Sequence, residues 1–164
     1  MDTVPGVDIS TGSLGQGVSA VCGMALASRV RGKDCRVYAL LGDGELQEGE
    51  VWEALMFAHH YKLDNLCVVT DNNSLQIDGE VAKVVSPYPI PDKLRAFGFE
   101  VSETDGHDFG QMEGAFAIVM KTVKGKGVSY MENNAGWHGK APNDEEYAQT
   151  MAELRAALAE VEGK

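Results

Sequence analysis

The apolar run Arg36-Val37-Tyr38-Ala39-Leu40-Leu41 breaks at Gly42-Asp43-Gly44, and a helical pattern follows at once. The run is short and rich in strand formers, which suits a strand buried in a parallel sheet. From Glu48 to about Tyr61, residues Val51, Leu55, Ala58 and Tyr61 recur at helical spacing, with Ala54 beside them. Strand, glycine turn and helix in that order form the repeating unit of parallel α/β proteins, and no other feature limits the fold as much. The unit also sets a carboxylate between two glycines at a strand's carboxyl end. Open α/β sheets bind ligands there, because strand ends and helix amino termini leave donors free beside a crevice.

A second unit repeats the arrangement. Leu66-Cys67-Val68-Val69-Thr70 reads as another apolar strand and runs straight into Asp71-Asn72-Asn73-Ser74. Two adjacent parallel strands would bring Asp43 and Asn73 to the same edge of the sheet. A carboxylate oxygen and an amide oxygen, with a main-chain carbonyl nearby, form a hard oxygen set suited to Mg²⁺ or Ca²⁺. Magnesium takes about six oxygens and keeps few protein ligands, so water and phosphate would complete its shell. Each cluster alone is ordinary turn chemistry. Two strand ends that each offer an oxygen ligand argue for a cation site.

The remainder of the chain is consistent with one α/β domain over residues 1–164. Ser13 to Arg31 places Leu14, Val18, Val21, Cys22, Ala25 and Leu26 on a helical stripe, among the small residues Gly15, Gly17, Ser19, Gly23 and Ala27. Each glycine costs a helix about 1 kcal/mol relative to alanine. They therefore imply close approach, either of a neighbouring helix or of a ligand, and Gly32 is placed to end the helix. Ser86-Pro87-Tyr88-Pro89-Ile90-Pro91 reads as a rigid connector outside helix and strand. A short helix over Asp92 to Phe97, a strand over Phe99 to Ser102, and a turn at Asp105-Gly106 follow. Phe109 to Phe116 reads as a helix that passes without a turn into a strand over Ala117 to Met120. Asn143 can cap a last helix with Glu146. Its stripe of Tyr147, Met151, Leu154, Leu158 and Val161 suits a helix lying on a surface.

A formal net charge of -11 excludes a binder of nucleic-acid backbone, which needs a basic face. A local phosphate site remains open, since main-chain N–H groups and a metal can hold one. Cys22, Cys35 and Cys67 lie in apolar segments without metal-ligand spacing and read as reduced core residues of a cytoplasmic protein. No apolar run approaches a membrane span, and Met1-Asp2-Thr3 opens no signal peptide. His59 and His60 lack a third ligand at suitable spacing. Trp137-His138, beyond the glycine-rich Lys124-Gly125-Lys126-Gly127, reads equally well as packing.

Gly42-Asp43-Gly44 followed by Asn72-Asn73 resembles the signature of thiamine-diphosphate enzymes. The strings Asp8-Ile9-Ser10-Thr11-Gly12-Ser13-Leu14-Gly15-Gln16-Gly17 and Met131-Glu132-Asn133-Asn134-Ala135-Gly136-Trp137-His138-Gly139 resemble transketolase, particularly its separately encoded amino-terminal subunit. The resemblance implies a three-layer fold, a mostly parallel sheet with helices on both faces, and binding of thiamine diphosphate with Mg²⁺ or Ca²⁺. Asp43 and Asn73 would bind the metal through side chains and Leu75 through its carbonyl. Gly44, beside Gly42, would offer its N–H to the diphosphate, and His138 would approach the same group. Gly12 and Leu14 would touch the cofactor's rings, and Glu48 and Glu53 would match carboxylates that communicate between sites across a dimer interface. The implied reaction is transfer of a two-carbon ketol unit between sugar phosphates, with the cofactor as electron sink.

The same comparison implies that the family's first strand and the histidines upstream of Met1 are absent. The glutamate that protonates the aminopyrimidine belongs to a second, pyrimidine-binding chain. We therefore expect a subunit that is inactive alone and depends on that carboxyl-terminal partner. It should self-associate where a sheet edge is left uncovered, with no nucleic-acid or membrane partner. The alternatives are a fragment of another thiamine-diphosphate enzyme, of deoxyxylulose-phosphate synthase or dehydrogenase E1 type, and a non-catalytic remnant that acts only in assembly.

Overall fold

The computed structural model describes residues 4–108 and 117–163. In chain order the elements are α1 (Gln16–Val30), β1 (Val37–Gly42), a 3-10 turn (Gly44–Gln47), α2 (Gly49–His60), β2 (Leu66–Asn72), β3 (Leu75–Gln76), β4 (Gly79–Glu80), α3 (Val81–Val84), α4 (Ile90–Ala96), β5 (Val101–Asp105), β6 (Ala117–Lys121), a second 3-10 turn (Ala135–Trp137) and α5 (Asp144–Glu162). Four strands form a wholly parallel sheet in the order β1-β2-β6-β5, and β3 pairs with β4 as a small antiparallel ribbon.

Alternation along the strands sorts side chains between the two faces of the sheet. Ala39 and Leu41 of β1, Leu66 and Val68 of β2 and Val119 of β6 join one buried cluster. That cluster also holds Val18, Cys22 and Ala25 of α1, Val51, Ala54, Leu55 and Ala58 of α2, and Ile90 and Leu94 of α4. Three helices therefore cover this face, and the Trp52 and Phe97 rings, 5.1 Å apart, join α2 to the end of α4. Burying a side chain such as Leu55, which is fully enclosed, contributes about 2–3 kcal/mol. On the other face of β1, Tyr38 and Leu40 stay exposed.

Several sequence expectations shift. Helix α1 starts at Gln16 and not at Ser13, because Gly15 takes a left-handed conformation (φ 83°) just before it. Leu14 accordingly lies outside the helix and is exposed instead of joining its stripe. Gly32 (φ 62°) does follow the end of α1. Ile90 and Pro91, expected in the connector, form the first turn of α4, where a proline's missing N–H has no partner to lose. The strand expected at Phe99 begins at Val101 and ends at Asp105, while Phe99 packs on the core as a flank. Cys22 and Cys67 are buried, but Cys35 is exposed in the link before β1. The helix expected over 109–116 lies outside the described residues.

Helix α5 has the expected capping box: the Asn143 side chain accepts from the Glu146 N–H, and Glu146 accepts from the Asn143 N–H. The loop after β6 holds it, through Tyr130 Oη donating to the Glu146 carbonyl at 2.7 Å and Ser129 to Glu153. None of its residues is buried, so the apolar stripe stands largely open. Among the described residues no helix is long and apolar enough to cross a membrane.

Candidate functional site at the carboxyl end of the sheet

The parallel register pairs Gly42 with Asp71, so the two chains leave β1 and β2 side by side. Asp43 N–H donates to the Asp71 carbonyl at 3.0 Å, extending the ladder one step past the strand. The Asp43 side chain consequently turns under the Asn72–Leu75 loop and is 1% exposed. The sequence places Asp43 at a strand end and not in the core, and the loop that closes over it accounts for its burial. Its Oδ1 accepts from Gly44 N–H at 2.9 Å, and its Oδ2 accepts from Ser74 N–H at 2.6 Å and from Tyr88 Oη at 3.0 Å. Burial pushes the Asp43 carboxyl above the usual carboxylate range, against the pull of Ser74, Tyr88 and Gly44 and with a smaller push from Asp71. Burial likewise raises the Tyr88 phenol.

Local hydrogen bonds fold the second cluster. Asn73 Oδ1 accepts from Leu75 N–H at 3.0 Å, an Asx turn, and its amide donates to Asp71 Oδ2 at 3.0 Å. Ser74 takes φ 65°, which aims its N–H at Asp43. Asp71 is further engaged by the Thr122 hydroxyl at the end of β6. Leu75 is half-buried and opens the β3–β4 ribbon. The 3-10 turn is tied across the crevice by Gln47, which donates to Gln76 Oε1 and to the Val85 carbonyl, both at 2.7 Å.

The structure thus brings Gly42, Asp43, Gly44, Asn73 and Leu75 to one end of the sheet. The oxygens of Asp43, Asn72, Asn73, Ser74 and Tyr88 gather there, and no lysine or arginine hydrogen bonds or ion-pairs with Asp43 among the described residues. A buried carboxylate among neutral oxygen donors, without a protein cation, suits a hard divalent ion. Beside it, a Cβ placed on Gly42 would meet nothing within 4 Å, so space remains for a ligand at the turn. Among the described residues no group of three or more His, Cys, Asp or Glu side chains forms a metal cage.

The other expected residues make no hydrogen bond to this cluster among the described residues. Gly12 and Leu14 are exposed in the segment before α1. Glu48 precedes α2, Glu53 lies within it, and both are exposed. His138 is exposed at the end of the second 3-10 turn, next to Trp137, which stacks on Tyr130 and carries Lys140 over its ring. Sequence reasoning did not single out Tyr88, Ser74 or Glu45. Glu45 Oε1 accepts from Gly15 N–H at 2.9 Å, tying the turn after β1 to the start of α1. The turn chemistry of Asp71-Asn72-Asn73-Ser74 could have flagged Ser74, but nothing in the spacing of Tyr88 points to Asp43.

The family model described as transketolase, thiamine diphosphate binding domain, matches residues 1–158. This chain belongs to that family. Its cofactor is accordingly thiamine diphosphate, and the parallel sheet flanked by helices is the family's fold. An apulose-4-phosphate transketolase subunit from Phocaeicola vulgatus is 38% identical over 170 residues, covering 97% of this chain and 60% of that protein. Human transketolase is 45% identical over 143 residues, covering 81% of this chain and 23% of that protein. The crystal structure of transketolase from Campylobacter jejuni superposes with a TM-score of 0.79 at 30% identity, over 90% of this chain and 26% of that one. The chain therefore spans about 60% of the transketolase subunits and about a quarter of the transketolases it resembles.

Proposed function

We propose that this chain supplies the diphosphate- and magnesium-binding half of a transketolase site, which transfers a two-carbon ketol unit between sugar phosphates. One observation carries the reading: the buried carboxylate of Asp43 meets the Asn72–Leu75 loop at the carboxyl ends of adjacent parallel strands. When bound, thiamine diphosphate supplies the electron sink that C–C cleavage next to a carbonyl requires. Asp43 would hold Mg²⁺ by charge, with the Asn73 amide oxygen and the Leu75 carbonyl completing the protein's share of the shell. The Mg²⁺ held by this set would offset the charge of the diphosphate. Gly44 N–H, now on Asp43 Oδ1, would be shared with a diphosphate oxygen, and the exposed imidazole of His138 would approach the same group. Leu14, an apolar side chain left 57% exposed, and Gly12 would meet the cofactor's rings.

The chain is proposed to be inactive alone and to work with a pyrimidine-binding carboxyl-terminal partner that brings the glutamate for the aminopyrimidine. Glu48 and Glu53, exposed at the start of α2, would face another copy of the chain and couple the two sites, as part of a homo-oligomer in the cytoplasm. Calorimetric titration of thiamine diphosphate, with Mg²⁺ and with chelator, tests the site. Magnesium-dependent binding is expected. An assay with xylulose 5-phosphate and ribose 5-phosphate tests the reaction, with turnover expected only after the partner is added. Binding that ignores magnesium would refute the site, and turnover by the chain alone would refute the division of labour.

A further inference from the structure

We infer that Tyr88 is a positioning residue for cation binding, whose hydroxyl decides which oxygen of Asp43 meets the metal. The inference rests on the proposed magnesium site. Tyr88 Oη lies 3.0 Å from Asp43 Oδ2, 3.1 Å from Asn72 Oδ1 and 3.3 Å from Ser74 Oγ. A phenol has one proton to give, and the carboxylate oxygen is the nearest acceptor and the charged one, so the proton goes to Asp43. Ser74 N–H reaches the same oxygen at 2.6 Å. Two donors thus fill both lone pairs of Oδ2. Oδ1 receives Gly44 N–H and keeps one lone pair open. A cation would then find its free lone pair on Oδ1, offered by a carboxylate that cannot rotate without breaking its bond to Tyr88.

The anchor for that bond is rigid. Tyr88 packs half-buried against the core, and two residues on Ile90 is fully buried at the start of α4. Helix α4 contacts β5 and β6, so Tyr88 ties the packing of that side of the sheet to the turn after β1. Hydrogen-bond partners behind a metal ligand commonly set its orientation, and their loss costs about tenfold to a hundredfold in metal affinity.

The test uses the full chain, Mn²⁺ as the probe and saturating thiamine diphosphate, with free Mn²⁺ read by electron paramagnetic resonance. Tyr88→Phe keeps the ring and removes the hydroxyl. We expect Mn²⁺ affinity to fall about tenfold to a hundredfold while the melting midpoint of the unloaded chain moves by no more than a few degrees. Ile90→Val loosens the same anchor with the phenol intact, and should lower the midpoint with Mn²⁺ affinity held within about twofold. Equal affinity in Tyr88→Phe overturns the inference, as does tighter binding, which would mean that the hydroxyl competes with the cation. An unfolded Tyr88→Phe chain overturns it too, because the hydroxyl would then be holding the fold. So does an equal loss in Ile90→Val, which would reduce the effect to general loosening. If the unaltered chain binds no Mn²⁺ in the presence of the cofactor, the magnesium site itself is refuted and this inference falls with it.

Discussion

Replacing Asp43 by alanine should injure both the fold and the site, by amounts that can be separated. The carboxylate is 1% exposed and accepts from Gly44 N–H, Ser74 N–H and Tyr88 Oη. A buried donor left without a partner costs about 1–3 kcal/mol, so three of them set an upper limit of about 9 kcal/mol, comparable with the whole stability of a domain. The actual loss should be smaller. The turn beside Gly42 is open, and water entering there can serve some of the donors, while the desolvation cost of the carboxylate disappears with it. A net loss of about 2 kcal/mol is expected, or roughly 4–8 °C in melting midpoint for a chain of this size. Thiamine diphosphate binding should lose its magnesium dependence altogether, because the nearby Asp71 is already engaged by Thr122 and Asn73. Asn73→Ala should act in the same direction with a smaller effect, since an amide brings no charge. Thermal melts and calorimetric titrations with and without Mg²⁺ on the same preparations separate the two effects. A midpoint within about 1 °C of the unaltered chain would refute the hydrogen-bond account, and magnesium-dependent binding of unchanged strength would refute Asp43 as the ligand.

Three further outcomes follow from particular contacts. The Cys22 thiol is pushed up to about 11 by burial and Cys67 is raised for the same reason, whereas Cys35 is exposed. Mass spectrometry after brief maleimide treatment at neutral pH should find Cys35 modified and the other two protected until the chain unfolds. Equal labelling of all three would contradict the packing of α1 and β2. Ser129, first through its hydroxyl, and Gln149 hold the Glu153 carboxyl below the usual range. A lowered carboxylate contributes its stabilisation above the unfolded pKa and loses it as pH falls through the folded one. The Ser129 amide signal should therefore titrate with a midpoint below that of an ordinary glutamate, and a midpoint at or above the ordinary one would contradict the link. Gly125→Ala would set a Cβ 2.6 Å from the Met131 main chain at φ 73°. Left-handed strain and overpacking together predict a loss of about 2–5 kcal/mol by urea unfolding, and a loss under about 1 kcal/mol would show that the loop yields.

Local regularities in the chain were enough to establish the strand–turn–helix order. The apolar run before Gly42, the helical stripe after Glu48, the strand into Asp71 and the capping box at Asn143 all form where their spacing placed them, because the local pattern of apolar and capping residues marks each one. Adjacent strand ends also brought Asp43 and Asn73 together, since a short α/β connection leaves little freedom in which strands become neighbours. Tertiary packing decided the remainder. The burial of Asp43 depends on a loop from the next unit folding over it, and its third hydrogen bond comes from Tyr88, far along the chain in a proline-rich stretch with no periodicity. Leu14 carried a helical pattern yet lies outside α1, because the left-handed Gly15, held by Glu45 from the turn after β1, sets where that helix begins. A sequence pattern states which face of an element is apolar. Which polar groups meet at its end is settled only when the whole sheet has closed, since hydrogen bonds between distant loops leave no spacing to read.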